Sequence, residues 1–153
     1  MSTIETVTCQ VRPAQPADAN AMAALAEQLG YPCTGTEVRK RLDDMNDPAQ
    51  YGAFVAERPQ GEIVGWIGAY VFRAVELAPF AEISGLVVER THRSRGIGKA
   101  LLKAAEDWAR KAGLPVILVN SNITRARAHQ FYVSNGYELI KTQRIFRKSF
   151  CSR

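Results

Sequence analysis

The middle of the chain constrains the fold most, because a strand, a long helix and a second strand follow one another there. The segment "PFAEISGLVVE" (79–89) is mostly apolar and β-branched, and "PVILVN" (115–120) is almost wholly apolar. Two strands joined by a helix pair in parallel through a right-handed crossover, and an apolar run without alternation indicates a strand covered on both faces. The apolar face of the helix repeats every three or four residues: Ile97, Leu101, Ala105, Trp108 and Ala112. The sequence therefore predicts an α/β fold, a mixed sheet with helices on both faces.

Turn residues and apolar spacing predict the other elements, and a length of 153 residues suits one domain over residues 1–153. We expect strands at 7–14, 51–58, 61–75 and 137–150, and helices at 16–29, 35–48 and 124–136. Thr36 and Thr124 are expected to cap the helices that follow them, and Gly113 to end the central helix. The predicted order is β-α-α-β-β-β-α-β-α-β.

Composition excludes several classes of protein. No apolar run approaches the roughly 18 residues of a membrane span, and the first residues have neither the basic start nor the apolar core of a signal peptide. We therefore expect a cytoplasmic protein that does not bind a membrane. Cys9, Cys33 and Cys151 are odd in number and far apart, without CxxC or Cys/His spacing. We expect no disulfide and no metal site, and no pattern supports a catalytic cysteine.

The net charge of +5 is divided unevenly along the chain. Residues 1–89 carry 6 Lys or Arg against 12 Asp or Glu, whereas residues 90–153 carry 14 against 3. A basic second half indicates a polyanionic ligand, either nucleic acid or a phosphorylated cofactor. The acidic first half favours a cationic partner.

A basic turn, the glycine turn of residues 90–99, joins the 79–89 strand to the central helix. The N-terminus of a helix presents free N–H groups and partial positive charge, which together make an anion site. Gly96 and Gly98 allow close approach, and Arg93, Arg95 and Lys99 add positive charge. The spacing fits neither the P-loop nor the dinucleotide fingerprint. A solvated charged turn is the alternative interpretation.

Three segments together resemble the GNAT superfamily of acetyl-CoA-dependent N-acetyltransferases. The segment "RSRGIGKA" (93–100) resembles the superfamily's Q/R-x-x-G-x-G/A motif, "LVV" (86–88) its cofactor-binding strand, and "AHQFYVSNGYE" (128–138) its tyrosine segment. The order of elements agrees over nearly the whole chain. The resemblance implies the GNAT acyl-CoA N-acyltransferase fold, with acetyl-CoA as co-substrate and no metal.

The resemblance also implies which residues would hold coenzyme A. The backbone of Leu86, Val87 and Val88 would pair with the pantetheine arm as a neighbouring strand does, and the Val88 N–H could polarise the thioester carbonyl. Arg125 stands where many members carry an asparagine, so it would contact a cofactor phosphate or remain solvated. The pyrophosphate would lie on the turn residues Arg93, Ser94, Arg95, Gly96, Ile97, Gly98 and Lys99.

Two residues carry the implied catalysis. Tyr132 falls on the family's tyrosine and would protonate the departing thiolate or donate a hydrogen bond to it, unless it only packs beside its neighbours. Glu82 corresponds to a glutamate of the superfamily's histone acetyltransferases, and would take the amine proton directly or through water. The alternative is a Glu on a solvent-facing strand position. His129, one helical turn before Tyr132, is the other candidate base.

The acceptor is the part of the reaction that the sequence defines least. Tyr31, Trp66 and Phe80 are expected to line its pocket together with Glu82. The resemblance favours a small-molecule primary amine as acceptor, for example a cationic polyamine or aminoglycoside. Because dimers are common in the family, the resemblance also implies a homodimer. A protein N-terminus or lysine is the alternative acceptor, and a non-catalytic acyl-CoA sensor is an alternative function. We expect no nucleic-acid binding, because no recognition motif is present.

Overall fold

A computed structural model describes residues 8–151 of the chain. It groups them into two compact units, the first ending at Asn120 and the second beginning at Ser121. The single-domain organisation over residues 1–153 stays a prediction. Residue 7 of the first predicted strand lies outside the described residues.

The first unit contains a five-stranded sheet with the strands in chain order. Its first four strands run antiparallel to one another, and the fifth is parallel to the fourth. This parallel pair confirms the mixed sheet and the crossover predicted through the central helix. The strands are β1 (Gln10–Pro13), β2 (Tyr51–Glu57), β3 (Ile63–Phe72), β4 (Phe80–Val88) and β5 (Ile117–Val119).

Three α-helices belong to the first unit and one to the second. They are α1 (Ala19–Leu29), α2 (Gly35–Asp44) and α3 (Ile97–Lys111), followed by α4 (Ala126–Ser134). Short 3-10 turns precede α1 at Pro16–Asp18 and α3 at Arg90–His92. From residue 8 to residue 151, no helix combines the length and the hydropathy that a membrane crossing requires.

Helices α1 and α3 cover opposite faces of the sheet. Trp66 of β3 donates its indole N–H to the carbonyl of Met22 in α1 at 3.1 Å. The preceding residue, Gly65, faces α3, because a Cβ there would lie 3.0 Å from Leu101 Cδ1. Neighbouring residues of a strand point to opposite faces, so helices on both faces are confirmed. The largest fully buried side chains are Val55, Val64, Ile67, Leu101 and Leu102.

The buried face of α3 differs in part from the predicted one. Ile97, Leu101 and Ala105 are buried as expected, but Leu102 and Ala109 complete the face. Ala112 is exposed, and the half-buried Trp108 donates its indole N–H to the carbonyl of Pro48 at 2.7 Å. Ala112 is exposed because α3 ends at Lys111, which leaves Ala112 at the C-cap, beyond the part of the helix that packs on the sheet.

Gly113 ends α3 as predicted. It adopts a left-handed conformation with φ 76°, and it donates its N–H to Arg110 O at 3.0 Å. Leu114 donates to Ala109 O, also at 3.0 Å. These two bonds form a Schellman motif, which satisfies carbonyls at the end of the helix.

Both predicted threonine caps are wrong. Thr34 caps α2: its hydroxyl accepts the Glu37 N–H at 3.1 Å, and the Glu37 carboxylate accepts the Thr34 N–H at 3.2 Å. This capping box needs a glutamate three residues after the cap, which Thr36 lacks. Thr124 instead donates its N–H and hydroxyl to Asn122 Oδ1 at 3.0 and 2.8 Å, and Arg125 stands at the N-cap of α4.

The predicted last strand is also wrong. Residues 137–150 contain no strand, and the sheet of the described residues ends at β5. Apolar content alone does not make a strand, because its N–H and C=O groups need a paired neighbour. Five large side chains of this segment are between 64% and 92% exposed: Leu139, Ile140, Ile145, Phe146 and Phe150.

Candidate active site

A β-bulge separates the two halves of β4. Gly68 of β3 pairs with Gly85, whereas the next residue, Ala69, pairs with Ile83, so Ser84 is an extra residue. Strand β5 pairs with β4 only from Ala81 to Ile83, before the bulge. Within the described residues, no strand pairs with the outer edge of β4 from Ser84 to Val88. This stretch is the open edge of β4.

The backbone of the open edge alternates between β3 and the outside. Glu89, just after β4, donates its N–H to Val64 O on β3 at 2.8 Å. Because antiparallel pairs alternate, Val87 also directs its N–H toward β3, and Leu86 and Val88 direct theirs outward. Of the three predicted pantetheine residues, Leu86 and Val88 thus offer outward N–H groups. Val87 is buried and serves the sheet.

The glycine turn leaves the N-terminus of α3 without a side-chain cap. Gly96 occupies the N-cap with φ 82° and ψ 0°, and it has no side chain that could accept from the first turn. The first helical bond runs from the Ala100 N–H to Gly96 O at 3.1 Å, so the N–H groups of Ile97, Gly98 and Lys99 precede the helical ladder. No acidic residue stands in this first turn. The geometry suits an anion.

Ser94 holds an unusual conformation in the same turn. Its φ is 63°, the one positive value among the non-glycine residues that the structure describes. Arg93 donates from Nε to the outward carbonyl of Val88 at 3.1 Å and thereby ties the turn to the open edge. Arg95 and Lys99 are exposed, so two cations remain beside the uncapped N–H groups.

Glu89 fixes the start of the turn. One of its carboxylate oxygens accepts the Thr91 N–H at 2.7 Å and the Thr91 hydroxyl. The same oxygen lies 3.1 Å from Nδ1 of His92, which therefore carries a proton there. These hydrogen bonds, first from Thr91 and then from His92, lower the pKa of Glu89 to about 2. His92 accordingly braces the turn.

The buried Glu82 lies in a polar cluster with the half-buried Tyr70 and the exposed Asn120, the Glu82 cluster. Only 8% of Glu82 is exposed. The Tyr70 hydroxyl, opposite it on β3, donates to Oε2, and the Asn120 amide at the end of β5 donates to Oε1. Burial, and then the bond to Glu82, raise the pKa of Tyr70 to about 12, so this hydroxyl stays protonated. Within residues 8–120, no cation lies within ion-pair distance of Glu82.

Two of the predicted acceptor-lining residues share the sheet face of Glu82. The Trp66 ring lies against Gly85, where a Cβ would be 3.0 Å from the ring. Phe80 stacks on Phe72 with ring centroids 4.7 Å apart. Alternation along β3 places Trp66 and Phe72 on the same face as Tyr70, the partner of Glu82. The face is aromatic with one buried carboxylate.

Tyr31 follows α1, the helix that covers this face, and its residue is 69% exposed. Its lining role stays a prediction.

Tyr132 belongs to the second unit, on α4. Its ring lies 5.3 Å from that of Phe131 and 5.5 Å from that of Tyr137, measured between centroids. Burial raises the pKa of the Tyr132 hydroxyl, and the charge of Arg125 offsets this in part. An ordinary thiol has a pKa of about 8.5. Complete proton transfer to a thiolate is therefore uphill, and hydrogen-bond donation is the better-supported chemistry for Tyr132.

His129 has a structural partner in the second unit. Its Nε2 lies 2.8 Å from the backbone carbonyl of Asn122. A carbonyl can only accept, so Nε2 carries the proton and donates. This bond ties α4 to the loop before it and favours an anchoring role over that of a base.

The sequence profile described as the Acetyltransferase (GNAT) family matches residues 19–137, more than half of the chain. The chain belongs to the GNAT family of acetyltransferases. It is therefore an enzyme of the acyltransferase class, and its family uses acetyl-CoA. Among residues 8–151, no group of three or more His, Cys, Asp or Glu side chains could hold a metal ion.

Relatives of this GNAT chain are themselves named N-acetyltransferases. An aminoglycoside N(6')-acetyltransferase type 1 of Stenotrophomonas maltophilia is 30% identical over 140 residues, covering 88% of each chain. The uncharacterized N-acetyltransferase YhdJ of Bacillus subtilis (strain 168) is 44% identical over 66 residues, which span 43% of this chain and 46% of that protein. This second match thus extends over less than half of the relative.

The fold agrees with a solved GNAT structure. The aminoglycoside acetyltransferase AAC(6')-Iy, in complex with a bisubstrate analog of coenzyme A and acetylneamine, matches with a TM-score of 0.80. The match covers 93% of this chain and 99% of that one at 16% identity. At this identity the likeness shows the fold alone.

Sequence analysis missed the two partners of Glu82 in this GNAT chain. Neither Tyr70 nor Asn120 is among the predicted site residues. Tyr70 becomes visible only once the register across the Ser84 bulge is known. Asn120 carried a usable signal, because it follows a short apolar strand directly.

Proposed function

We propose that the protein transfers the acetyl group of acetyl-CoA to a primary amine of a small molecule. The observation that carries this proposal is that two sets of backbone N–H groups without partners in the secondary structure lie next to each other within the first unit. The open edge of β4 offers outward N–H groups at Leu86 and Val88, and the glycine turn offers the uncapped N–H groups of α3. Arg93 links the two through its bond to Val88 O.

The two surfaces suit the two ends of coenzyme A. A pantetheine arm carries amides that can pair with an open strand edge. A pyrophosphate needs N–H donors and cations, which the first turn of α3 supplies together with Arg95 and Lys99. Ile97 holds this turn in place, because its side chain is buried. Arg125 remains a proposed phosphate contact from the second unit.

The reaction that we propose is direct attack. The amine nitrogen forms a bond to the thioester carbon, and the electron pair of the C–S bond leaves with sulfur. The Val88 N–H stabilises the oxygen on which charge develops. Tyr132 donates a hydrogen bond to the departing sulfur. Glu82 takes up the proton that the amine loses, so the products are an amide and coenzyme A.

The proposed acceptor is a cationic small molecule of the aminoglycoside or polyamine type. Its support is Glu82, a buried carboxylate that no Lys, Arg or His of residues 8–120 pairs with, because a carboxylate removed from water is normally paired with a cation. A protonated amine would supply that cation. The name of the Stenotrophomonas relative, an aminoglycoside acetyltransferase, points to the same class.

Calorimetry with acetyl-CoA tests the donor half of this proposal. Binding should weaken steeply as salt is added, because pyrophosphate recognition is electrostatic, and free pyrophosphate should compete. Absence of acetyl-CoA binding would refute the proposal. Binding without turnover of any amine would instead favour the acyl-CoA sensor, and turnover of peptides alone would favour a protein acceptor.

We propose further that the protein is a homodimer whose second copy covers the apolar side chains of residues 137–150. Its support is that five large apolar side chains of one short segment are exposed, since exposed apolar surface is typical of an interaction site. Light scattering should give twice the chain mass, and the double variant Ile145→Ser, Phe146→Ser should give the monomer mass. A monomeric parent protein would contradict this. A cytoplasmic location stays a prediction, testable by cell fractionation.

A further inference from the structure

The carboxylate of Glu82 is poorly placed to meet a substrate amine directly. The residue is 8% exposed. Oε1 accepts from the Asn120 amide and Oε2 from the Tyr70 hydroxyl. Each oxygen thus already accepts one hydrogen bond, and so little of Glu82 is exposed that an amine has little room to contact the carboxylate itself. A group that stands between the amine and Glu82 would carry the proton to the carboxylate without uncovering it.

Tyr70 has the geometry of that group. Its hydroxyl proton points to Glu82 Oε2, so the lone pairs of its oxygen are left to accept from another donor. Tyr70 is half-buried, less deeply than Glu82. It lies on the aromatic face, since its strand neighbours at every second position are Trp66, Gly68 and Phe72. Gly68 adds no side chain to this face.

We propose that the Tyr70 hydroxyl meets the substrate amine and relays its proton to Glu82. This inference rests on the proposed function and adds a catalytic residue to it. The ammonium N–H donates to Tyr70 Oη. As that proton moves to Oη, the hydroxyl proton of Tyr70 moves to Glu82 Oε2. The nitrogen keeps its electron pair, Tyr70 ends as a hydroxyl, and Glu82 ends as a neutral carboxylic acid.

The charges of the Glu82 cluster fit this direction of transfer. Both partners of Glu82 are neutral donors, and no cation of residues 8–120 lies within ion-pair distance. An incoming ammonium would be the first positive charge beside the carboxylate. A high pKa keeps Tyr70 protonated, so the relay always begins with a proton ready to move to Glu82.

Asn120 acts through Glu82 and is a positioning residue. By holding Oε1 from the end of β5, it leaves Oε2 turned toward Tyr70. Its loss should loosen the carboxylate without removing any group from the proton path. The expected defect is therefore of the same kind as that of a Tyr70 variant, and smaller.

The test compares two amines of similar size and different basicity, ethylamine and its trifluoro derivative, with the full-length enzyme and acetyl-CoA at neutral pH. Ethylamine must lose a proton, whereas the fluorinated amine is already largely neutral. Tyr70→Phe should lower kcat for ethylamine about 100-fold, the lower end for a lost acid–base group. It should lower kcat for the fluorinated amine much less, with an unchanged Kd for acetyl-CoA.

A matched control is Tyr51→Phe, since Tyr51 lies directly opposite Tyr70 on β2 and should leave both rates unchanged. Asn120→Ala should also lower kcat more for ethylamine than for the fluorinated amine, but by a smaller factor than Tyr70→Phe. If Tyr70→Phe does not fold, Glu82→Gln must show the dependence instead.

Equal defects with both amines would show that Tyr70 only supports the structure. An unaltered ethylamine rate would show that the amine reaches Glu82 without it. Either result overturns the relay and leaves the proposed function standing. A parent enzyme that binds acetyl-CoA and acetylates no amine in any assay would overturn both.

Discussion

Replacing Gly96 with alanine should separate the binding role of the glycine turn from its role in folding. Gly96 has φ 82°, and a Cβ added there would meet no atom within 4 Å. The substitution should therefore lower the free energy of unfolding only through the backbone conformation, by about 1–2 kcal/mol for an L-residue in the left-handed region. For a chain of this length, that lowers Tm by about 2–8 °C.

Gly113, at the other end of the same helix, provides a matched control. Its φ is 76°, and a Cβ there would also meet nothing within 4 Å. Gly113→Ala should therefore lower Tm by a similar amount. It lies beyond the C-terminus of α3, far along the helix from the proposed pyrophosphate site, so its Kd for acetyl-CoA should not change.

Gly96→Ala should weaken acetyl-CoA binding as well as stability. The left-handed N-cap orients the N–H groups of Ile97 and Gly98, and relaxation of an alanine out of this region would turn them away. We expect a Kd about tenfold higher, equal to about 1.4 kcal/mol. Thermal unfolding and calorimetry at 25 °C measure the two effects separately. The same change of Kd in both variants, or an unchanged Kd in Gly96→Ala, would refute the reasoning.

Three further variants test other parts of the structure. Asp18→Asn should lower stability by about 2 kcal/mol, because it breaks charged hydrogen bonds of 2.8 and 2.9 Å from Arg12. The hydrogen bonds from Arg12 lower the pKa of Asp18. The difference in free energy of unfolding between the parent protein and the variant should therefore be complete above about pH 4 and disappear as the pH falls through that lowered pKa. A difference that stays constant with pH in urea titrations would contradict this. Thr34→Ala should cost about 1 kcal/mol and Thr36→Ala less than about 0.5 kcal/mol, and the reverse order would show that the capping box is misassigned. Tyr132→Phe should lower kcat about tenfold, as the loss of one hydrogen bond does, with the Kd for acetyl-CoA unchanged; an equal kcat would remove Tyr132 from the reaction.

The central part of the fold was predictable because its signals are long and agree with one another. The apolar spacing and the stop at Gly113 predicted α3, and the apolar run before Asn120 predicted a covered strand. A strand, a helix and a second strand in this order predicted the parallel pair. The capping of α2 was predictable too, because Glu37 stands three residues after Thr34, whereas no glutamate stands three residues after Thr36. The signal was present and was assigned to the wrong threonine.

The Glu82 cluster could not be predicted in the same way. Its members come from three strands or strand ends, and the pairing of Tyr70 with Glu82 depends on one extra residue, Ser84. A shift of one residue in register moves every side chain to the other face of a sheet. The segment 137–150 failed for a different reason, because strand formation depends on a partner that the segment's own sequence does not specify.

Thiol release on mixing the protein with acetyl-CoA and a panel of amines measures the proposed acetyl transfer itself. The panel contains aminoglycosides, polyamines, ethylamine and a lysine peptide, and mass spectrometry identifies each product. The account predicts release that requires both enzyme and amine, with one acetyl group added to a cationic small molecule. No amine-dependent release from any member of the panel, or acetylation of the peptide alone, would contradict it.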